Sequence, residues 1–262
     1  MSKIAFLVGH GKSDRGGYDS GAVNGAYHEF NIARHIAKYA TEYYNANYNE
    51  SCTLINADKK YNLNERIQLV NKFDFDFIAE FHLNSHTKPA TGTECYYYTG
   101  DKTGKKYAQS ITKAIAAAFG IRNRGAKGST YYGIIRKTKP TAVLIETMFI
   151  NSDDLEHIKT AEGQKKCGQA IARAVAEVRK AKPKQTETAN TTDFKPYMVK
   201  VVCESLNIRK TPVWADSDIC GIITNKGVYT IVAETMCGNT LFGKLKSGAG
   251  WISLNKNYVR KL

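Results

Sequence analysis

The chain has 262 residues, 42% of them hydrophobic, which is enough for one or two domains with a sizeable core. Its net charge of +14 at pH 7 makes an anionic polymer a natural partner. Nucleic acid is one such polymer, but the sequence contains no recognisable nucleic-acid-binding module, so we expect no nucleic-acid partner. The sequence has no run of about 18 apolar residues and therefore predicts no membrane-spanning helix.

The N-terminus begins with a short apolar run rather than a secretion signal. Only Lys3 precedes the run at residues 4–8, which leads straight into Gly-His-Gly. A signal peptide would have a charged segment, a longer apolar segment and a cleavage site of small residues. We therefore expect a core strand here and synthesis without a signal peptide, so any role outside the cytoplasm requires a separate release step.

Strand-like and helix-like segments alternate over residues 1–180, which is typical of an α/β fold with a mostly parallel sheet flanked by helices. Short apolar runs indicate buried strands, and longer segments with apolar residues at helical spacing indicate helices. Asn62 or Asn64 is expected to cap the second predicted helix. The predicted strands are near residues 3–8, 53–55, 75–81, 93–98, 132–135 and 142–147, and the predicted helices are near 27–45, 63–72, 103–119 and 161–180.

The composition changes after Lys180. Residues 181–196 are polar, lack periodicity and predict an exposed linker between a first domain at 1–180 and a second at 197–262. In the second domain, short β-type runs alternate with turn signals, which predicts a small all-β barrel. The predicted strands there are residues 198–202, 220–224, 228–232 and 241–245.

Three polar side chains of the first domain each follow a predicted buried strand. They are His10, His82 and Glu146. The carboxyl ends of parallel strands lie along one edge of the sheet, where the ligand crevice of such folds is found. We therefore expect these three side chains to converge on one site.

A fourth polar side chain comes from the first predicted helix. Glu29 heads an apolar stripe at helical spacing, which places it on the buried face of the helix. A buried carboxylate is costly unless it is paired or binds a metal. The alternative is a solvated first-turn glutamate favoured by the helix dipole, but the histidines at the strand ends favour metal binding. The stripe consists of Ile32, Ala33, Ile36, Ala40 and Tyr43.

These residue types predict a hydrolytic zinc site. Zinc binds histidine nitrogen and carboxylate oxygen, and a hydrolytic zinc keeps one coordination position for water. His10, Glu29 and His82 are the candidate ligands of one zinc ion per chain. Glu146 is the candidate general base, and its apolar surroundings should raise its pKa towards a useful value. The alternative for Glu146 is a buried carboxylate in a structural ion pair.

Two further polar residues lie near His82 in the sequence. Glu80 shares the strand face of His82 by alternation, so it either orients that histidine or competes with it for the metal. His86 lies in the loop after the strand and is a candidate substrate contact rather than a ligand.

Six short motifs appear in order along residues 1–180: VGHG, NGAYHEFNIA, EFHLNS, GTECYYY, NRGAK and AVLIETMFINSDD. Together they closely resemble the zinc-dependent N-acetylmuramoyl-L-alanine amidases of bacterial autolysins and phage endolysins. The resemblance implies zinc binding by His10, Glu29 and His82 and catalysis by Glu146. It also implies hydrolysis of the amide between the lactyl group of N-acetylmuramic acid and the L-alanine of the stem peptide.

The strings SLNIRKTP, GIITNKGVYTIVAE and GWISLNKNYVRKL occur in residues 197–262. This region resembles bacterial Src-homology-3-like (SH3-like) wall-binding domains, and such a domain raises the local concentration of an enzyme on its polymer. Trp214 and Trp251, with Tyr229 and Tyr258, are candidates for binding a sugar or peptide. The alternative is that most of them pack the barrel core.

The sequence therefore predicts a peptidoglycan hydrolase whose partners are peptidoglycan and its associated anionic wall polymers. The predicted setting is a phage endolysin made in the bacterial host cytoplasm, which reaches the wall after a separate membrane lesion. The alternatives are a host autolysin, a zinc peptidase that cuts within the stem peptide, and a wall-binding protein with an inactive hydrolase domain. The intact ligand set and Glu146 favour an active enzyme.

Overall fold

The computed structural model describes residues 3–58, 61–87, 90–184, 194–214, 218–237 and 240–262. The chain forms two compact units, Met1–Pro183 and Lys184–Leu262. The predicted linker at 181–196 spans the division between them, and its residues 185–193 lie outside the described residues. Within the described ranges, no helix is both long and apolar enough to cross a lipid bilayer.

The first unit alternates strands and helices along the chain. Its strands are β1 (Ile4–Val8), β2 (Gly11–Lys12), β3 (Tyr18–Asp19), β4 (Val23–Asn24), β5 (Tyr27–His28), β6 (Cys52–Ile55), β7 (Phe77–Asn84), β8 (Thr93–Tyr98), β9 (Asn123–Ser129) and β10 (Thr141–Phe149). Its helices are α1 (Glu29–Asn47), α2 (Leu63–Lys72), α3 (Lys102–Phe119), α4 (Gly133–Arg136), α5 (Leu155–Ile158) and α6 (Ala161–Arg179).

Six of these strands form the central sheet, in the order β6–β1–β7–β10–β8–β9. Neighbouring strands are parallel except β8 and β10, which pair antiparallel. Strands covered on both faces carry continuous apolar runs, and all five residues of β1 are buried. The predicted fold class, a mostly parallel sheet flanked by helices, is confirmed for this unit.

Helices cover both faces of the sheet. On one face, α1, α3 and α6 contribute to a large core that includes Phe6 and Phe81. On the other face, α2 and α4 contribute to a smaller core that includes Leu7 and Ile78. Successive side chains of a strand point to opposite faces. Every second residue of β7 after Ile78, and therefore His82, lies on the same face as Ile78, which is the smaller-core face.

Helix α2 begins at a capping box. The Asn62 side chain accepts a hydrogen bond from the Glu65 N–H at 2.9 Å, and the Glu65 carboxylate accepts one from the Asn62 N–H at 2.9 Å. Such reciprocal bonds satisfy two backbone donors that a helix start leaves free. Of the two predicted caps, Asn62 is therefore the cap, and it fixes the start of the helix that carries Arg66.

One predicted strand is wrong. Residues 132–135 fall largely in the short helix α4, which is closed by a hydrogen bond from the Lys137 N–H to the Gly133 carbonyl at 2.9 Å. A short apolar run fits a strand or a buried helical turn equally well by periodicity. In α4, both Ile134 and Ile135 reach the smaller core, which favours the helical turn.

The sequence does not predict β9. This strand lies at the edge of the sheet, and none of its residues is fully buried. A strand without a buried face lacks the apolar alternation that reveals strands in a sequence. It pairs parallel to β8 with an irregularity between Thr93 and Glu94, whose partners on β9 are Asn123 and Gly125.

The second unit is all-β. Its strands form a seven-stranded antiparallel sheet around a small apolar core that includes Val201 and Ile231. Four strands match the predicted ones, whereas the sequence does not predict the other three. The strands are β11 (Tyr197–Val201), β12 (Leu206–Arg209), β13 (Ile219–Ile223), β14 (Val228–Cys237), β15 (Thr240–Leu245), β16 (Trp251–Ser253) and β17 (Val259–Lys261), and the sequence does not predict β12, β16 and β17.

Candidate metal centre and active site

Three polar side chains come together at the carboxyl ends of neighbouring strands. His10 follows β1, whereas His82 lies on β7 and Glu146 on β10. β1 and β10 each pair parallel with β7, and Glu146 is the direct partner of His82. The convergence expected from the sequence is therefore present, while the roles assigned to these residues stay predictions.

His10, Glu29 and His82 form a compact cluster. One ligand-capable atom from each residue lies within 4.8 Å of the others. The Glu29 Oε1 atom is 2.9 Å from His82 Nδ1 and 3.2 Å from His10 Nε2. Two nitrogens and one carboxylate oxygen are the donor set that zinc accepts in hydrolytic sites.

Glu29 is the first residue of α1 and is only 3% exposed. Its Oε2 accepts a hydrogen bond from the Ala22 N–H at 2.8 Å, and its Oε1 accepts one from the Leu83 N–H at 3.0 Å. Burial alone would raise the pKa of Glu29, but hydrogen bonds from His10 and His82 outweigh it and hold that pKa well below its usual range. The alternative of a solvated first-turn glutamate is therefore wrong.

His10 occupies an unusual backbone conformation. Its φ of 58° lies in the left-handed region that residues other than glycine rarely adopt. Its Nδ1 atom is 2.9 Å from Asp19 Oδ2, which leaves Nε2 facing Glu29. Such strain persists only where the surroundings fix it, and it is typical of functional sites. The sequence did not predict that Asp19, which lies in a glycine-rich turn, contacts His10.

His82 is held between two carboxylates. Its Nδ1 faces Glu29, and its Nε2 is 3.1 Å from Glu80 Oε2. The other Glu80 oxygen accepts a hydrogen bond from Arg66 Nε at 2.7 Å. Burial lowers the pKa of His82, but these carboxylates outweigh it and raise that pKa to about 10. Arg66 and His82 occupy both Glu80 oxygens, which favours the alternative in which Glu80 orients the histidine. Sequence reasoning missed Arg66.

Two glycines form a cradle around the cluster. A Cβ atom at Gly9 would lie 2.1 Å from Cε1 of His82, and one at Gly21 would lie 2.5 Å from Oε2 of Glu29. These distances exclude any side chain at either position unless the cluster moves. The backbone is therefore shaped to hold the two histidines and the carboxylate together, which is what a bound metal ion requires.

Glu146 presents an unpartnered carboxylate to the same site. Its Oε2 atom is buried and accepts no hydrogen bond, and no ion pair among the described residues involves this side chain. Burial raises the pKa of Glu146 to about 7, although the nearby His82 opposes the shift. The alternative of a structural ion pair is therefore wrong. A buried carboxyl group with a pKa near neutrality is suited to moving protons.

The four residues share one open cavity of about 600 Å³, which we call the site cavity. Its other walls come from α2, α4 and the loops after β1 and β7. His86 is not among its lining residues; it is exposed and exchanges backbone hydrogen bonds with the Asn151 side chain. Asp19, Arg66, Glu80 and Asn84 also line the site cavity.

In the second unit, the two tryptophans lie outside the apolar core. Trp214 is 51% exposed and lines a cavity of about 140 Å³ with Arg209, whose guanidinium lies 4.9 Å from the indole centre. Trp251 lies on β16, with the Lys244 ammonium 6.0 Å from its ring centre. The core-packing alternative instead fits Tyr229 and Tyr258, which lie against the core.

Comparisons with known proteins concern the first unit. Residues 4–177 match the family described as N-acetylmuramoyl-L-alanine amidase. The amidase LytC of Bacillus subtilis (strain 168) is 32% identical over 160 residues, which cover 60% of this chain and 32% of LytC. This chain therefore matches only about a third of the length of that relative.

Two solved structures are also similar. Cwp6 from Clostridium difficile has a TM-score of 0.62 and 30% identity, covering 68% of this chain and 29% of that one. The catalytic domain of the CD27L endolysin targeting Clostridia difficile has a TM-score of 0.55 and 26% identity, covering 68% of this chain and 98% of that domain. On the match to residues 4–177, this chain belongs to the N-acetylmuramoyl-L-alanine amidase family.

Proposed function

We propose that the chain is a zinc-dependent N-acetylmuramoyl-L-alanine amidase. It hydrolyses the amide that joins the lactyl group of N-acetylmuramic acid to the L-alanine of the stem peptide in peptidoglycan. The observation that carries this proposal is the unpartnered Glu146 carboxylate in the same cavity as the His10–Glu29–His82 cluster. Family membership and the similarity to LytC support the choice of substrate.

His10, Glu29 and His82 would hold one zinc ion. The donor set, the mutual distances within 4.8 Å and the glycine cradle all fit a zinc ion of this kind. When bound, zinc supplies Lewis-acid activation of water and of the scissile carbonyl. Asp19 and Glu80 keep the two imidazole rings in fixed orientations, the usual task of carboxylates behind metal-binding histidines.

Glu146 carries the proton. Its carboxylate accepts the proton that the attacking water loses, and the carboxylic acid then donates it to the leaving nitrogen of L-alanine. Burial raises the pKa of Glu146 above its ordinary value, which favours the step in which the acid donates its proton to the amine. Since Oε2 has no hydrogen-bond partner among the described residues, that oxygen is free to engage the water and then the amine.

Labelling of new amino termini in digested walls tests the substrate assignment. An amidase exposes the amino group of the stem-peptide alanine and no other. Purified walls treated with the enzyme should therefore yield labelled alanine in proportion to the loss of turbidity. A new amino terminus on any later residue of the stem would instead identify a peptidase, the alternative reaction for a zinc hydrolase.

The second unit serves, in this proposal, as an SH3-like wall-binding domain. Its support is the small all-β sheet, the exposed Trp214 beside the buried Arg209, and a positive charge. Residues 197–262 carry nine basic and four acidic side chains, a net charge of +5, which suits anionic wall polymers. Attachment to the wall keeps the catalytic unit at a high effective concentration near the scissile amides.

The proposed setting is a phage endolysin that accumulates in the host cytoplasm and reaches the wall after a membrane lesion. The similarity to the CD27L catalytic domain supports it, while LytC provides the bacterial alternative. Expression of the chain in a susceptible host tests the setting. We expect lysis only when a membrane-permeabilising agent is added. Lysis without the agent would indicate that the protein reaches the wall unaided, as an autolysin does.

A further inference from the structure

A row of directly paired residues crosses the sheet beside the site cavity. His82 on β7 pairs with Glu146 on β10, Glu146 pairs with Glu94 on β8, and Glu94 pairs with Gly125 on β9. Directly paired residues send their side chains to the same face of a sheet. Glu94 therefore lies on the face that carries the active site, one strand beyond Glu146.

Glu94 is only 3% exposed and is bound by two cations. Its Oε2 accepts hydrogen bonds from Arg124 Nε at 2.5 Å and from Lys127 Nζ at 2.6 Å. Its Oε1 accepts hydrogen bonds from Tyr96 Oη at 2.8 Å and Asn84 Nδ2 at 2.9 Å. One negative and two positive charges leave this group with a net charge of +1. A single cation would neutralise the carboxylate, so the second one requires another explanation.

The irregularity of β9 brings both cations to this carboxylate. Thr93 pairs with Asn123, but Glu94 pairs with Gly125, so Arg124 is an extra residue in the strand. Gly125 has a φ of 83°, which only glycine adopts readily. In a regular strand, residues 124 and 127 would point to opposite faces. The bulge allows both to bind the same oxygen, and bulges commonly redirect side chains next to active sites.

Both cations keep donors for a ligand. The Arg124 and Lys127 side chains are 26% and 37% exposed. Arg124 uses Nε on Glu94, and none of its hydrogen bonds to described residues uses a terminal nitrogen. Its guanidinium lies 5.1 Å from the centre of the Phe149 ring, which limits its movement. Asn84, the fourth partner of Glu94, lines the site cavity, so Glu94 links the cationic pair to one wall of that cavity.

We infer that Arg124 and Lys127 form a carboxylate-binding subsite beside the active site, which takes an acidic residue of the stem peptide. This inference rests on the proposed amidase function. β9 lies two strands from β10, or about 10 Å, and an extended peptide advances about 3.5 Å per residue. The carboxylate therefore belongs to the second or third residue after the scissile amide. A partly exposed arginine–lysine pair with surplus positive charge matches such a group.

Calorimetric titration with two synthetic stem tetrapeptides tests the subsite without any turnover. The peptides are identical except that one has free carboxylates at its second and third residues and the other is amidated there. We expect the intact protein to bind the acidic peptide about tenfold more tightly, the scale of one charge-assisted hydrogen bond. Lys127→Met should abolish this preference, Lys127→Arg should retain most of it, and Lys113→Met on the exposed face of α3 should leave it unchanged.

Equal binding of the two peptides by the unmodified protein would overturn the subsite. So would a Lys127→Met protein that loses thermal stability yet keeps the tenfold preference, because Lys127 would then serve only to neutralise Glu94. Cleavage of the corresponding muramoyl peptides is measured in parallel. A protein that prefers the acidic peptide through Lys127 but cleaves no muramoyl amide refutes the amidase function alone. A protein that cleaves both muramoyl peptides with equal KM refutes the subsite alone.

Discussion

Arg66 donates from Nε to Glu80 at 2.7 Å, and the two side chains are 5% and 2% exposed. Glu80 in turn contacts the ring of His82, while Arg66 also donates to the His10 carbonyl at 3.2 Å. One buried ion pair thus touches both histidines of the candidate zinc site. Burial would raise the pKa of Glu80, but the Arg66 charge lowers it to about 2, so the pair stays ionised near neutral pH.

Breaking this pair should weaken both the fold and the metal site. Arg66→Met leaves Glu80 buried without its cation, which should cost about 3–5 kcal/mol in the free energy of unfolding. Glu80→Gln should weaken zinc binding by about 10–100-fold, because His82 loses the carboxylate that orients it. Urea unfolding and zinc competition with a chromophoric chelator measure the two effects.

Arg136→Met, on an exposed position of α4, is the matched control and should change neither quantity. The double variant Arg66→Met/Glu80→Gln should recover part of the lost stability, since it removes both charges. If the Arg66→Met protein unfolds at the same urea concentration as the unmodified protein, the ion pair has no structural role.

The three candidate ligands should account for one zinc ion per chain. His10→Ala and His82→Ala each remove one nitrogen of the set, so elemental analysis should find most of the metal lost. Chelation of the unmodified protein should abolish wall lysis, and added zinc should restore it. His86→Ala should keep its zinc, because His86 lies outside the site cavity. A fully zinc-loaded His82→Ala protein would refute this ligand assignment.

The buried Glu146 carboxyl should make the metal-free protein less stable as the pH rises. Its pKa is about 7 in the folded chain, against about 4.5 in the unfolded chain. Between these values, the unfolded state releases a proton that the folded state keeps, so folding stability falls until the pH passes about 7. Below pH 4.5 both states are protonated and the penalty is absent.

Glu146→Gln removes this ionisation. In chelated protein, the variant should therefore gain stability over the parent between pH 5 and pH 8, on the order of 1–3 kcal/mol. Urea unfolding of both proteins at the two pH values measures the difference. A parent protein that gains stability over the variant as the pH rises would show that Glu146 is ionised and stabilised in the fold.

The second unit should bind walls without lysing them. Sedimentation of residues 197–262 with purified walls tests this, and failure of the folded fragment to co-sediment would leave the first unit as the only binder. Binding through the net charge of +5 should weaken as salt rises, because exposed charges are screened beyond about 8 Å at physiological ionic strength.

Alanine at Trp214 distinguishes recognition from packing in this unit. Because Trp214 is 51% exposed, Trp214→Ala should reduce binding that survives high salt and leave the melting temperature nearly unchanged. Val201→Ala, in the apolar core, is the control and should lower the melting temperature. A Trp214→Ala fragment that melts early and binds normally would place Trp214 in the packing of the unit.

The sequence predicts which polar residues stand at the strand ends, but it does not predict the buried contacts that hold those residues in place. His10, His82 and Glu146 could be found because an apolar run followed by a polar residue is a local pattern. Arg66 could not, since its partner Glu80 lies fourteen positions away and nothing local in α2 indicates a buried arginine. The bulge at Gly125 could not be predicted either. It lies in an edge strand without a buried face, and such a strand shows no apolar alternation.

Mass spectrometry of purified wall digested by the unmodified protein and by Glu146→Gln tests the central claim most directly. The account predicts glycan strands with free muramic acid lactyl groups and intact stem peptides that begin with alanine. It also predicts that Glu146→Gln, folded and loaded with zinc, releases the same products at least about 10²-fold more slowly, the usual scale of general acid–base catalysis. Cut stem peptides on an unaltered glycan, or products released by Glu146→Gln at the rate of the unmodified protein, would contradict it.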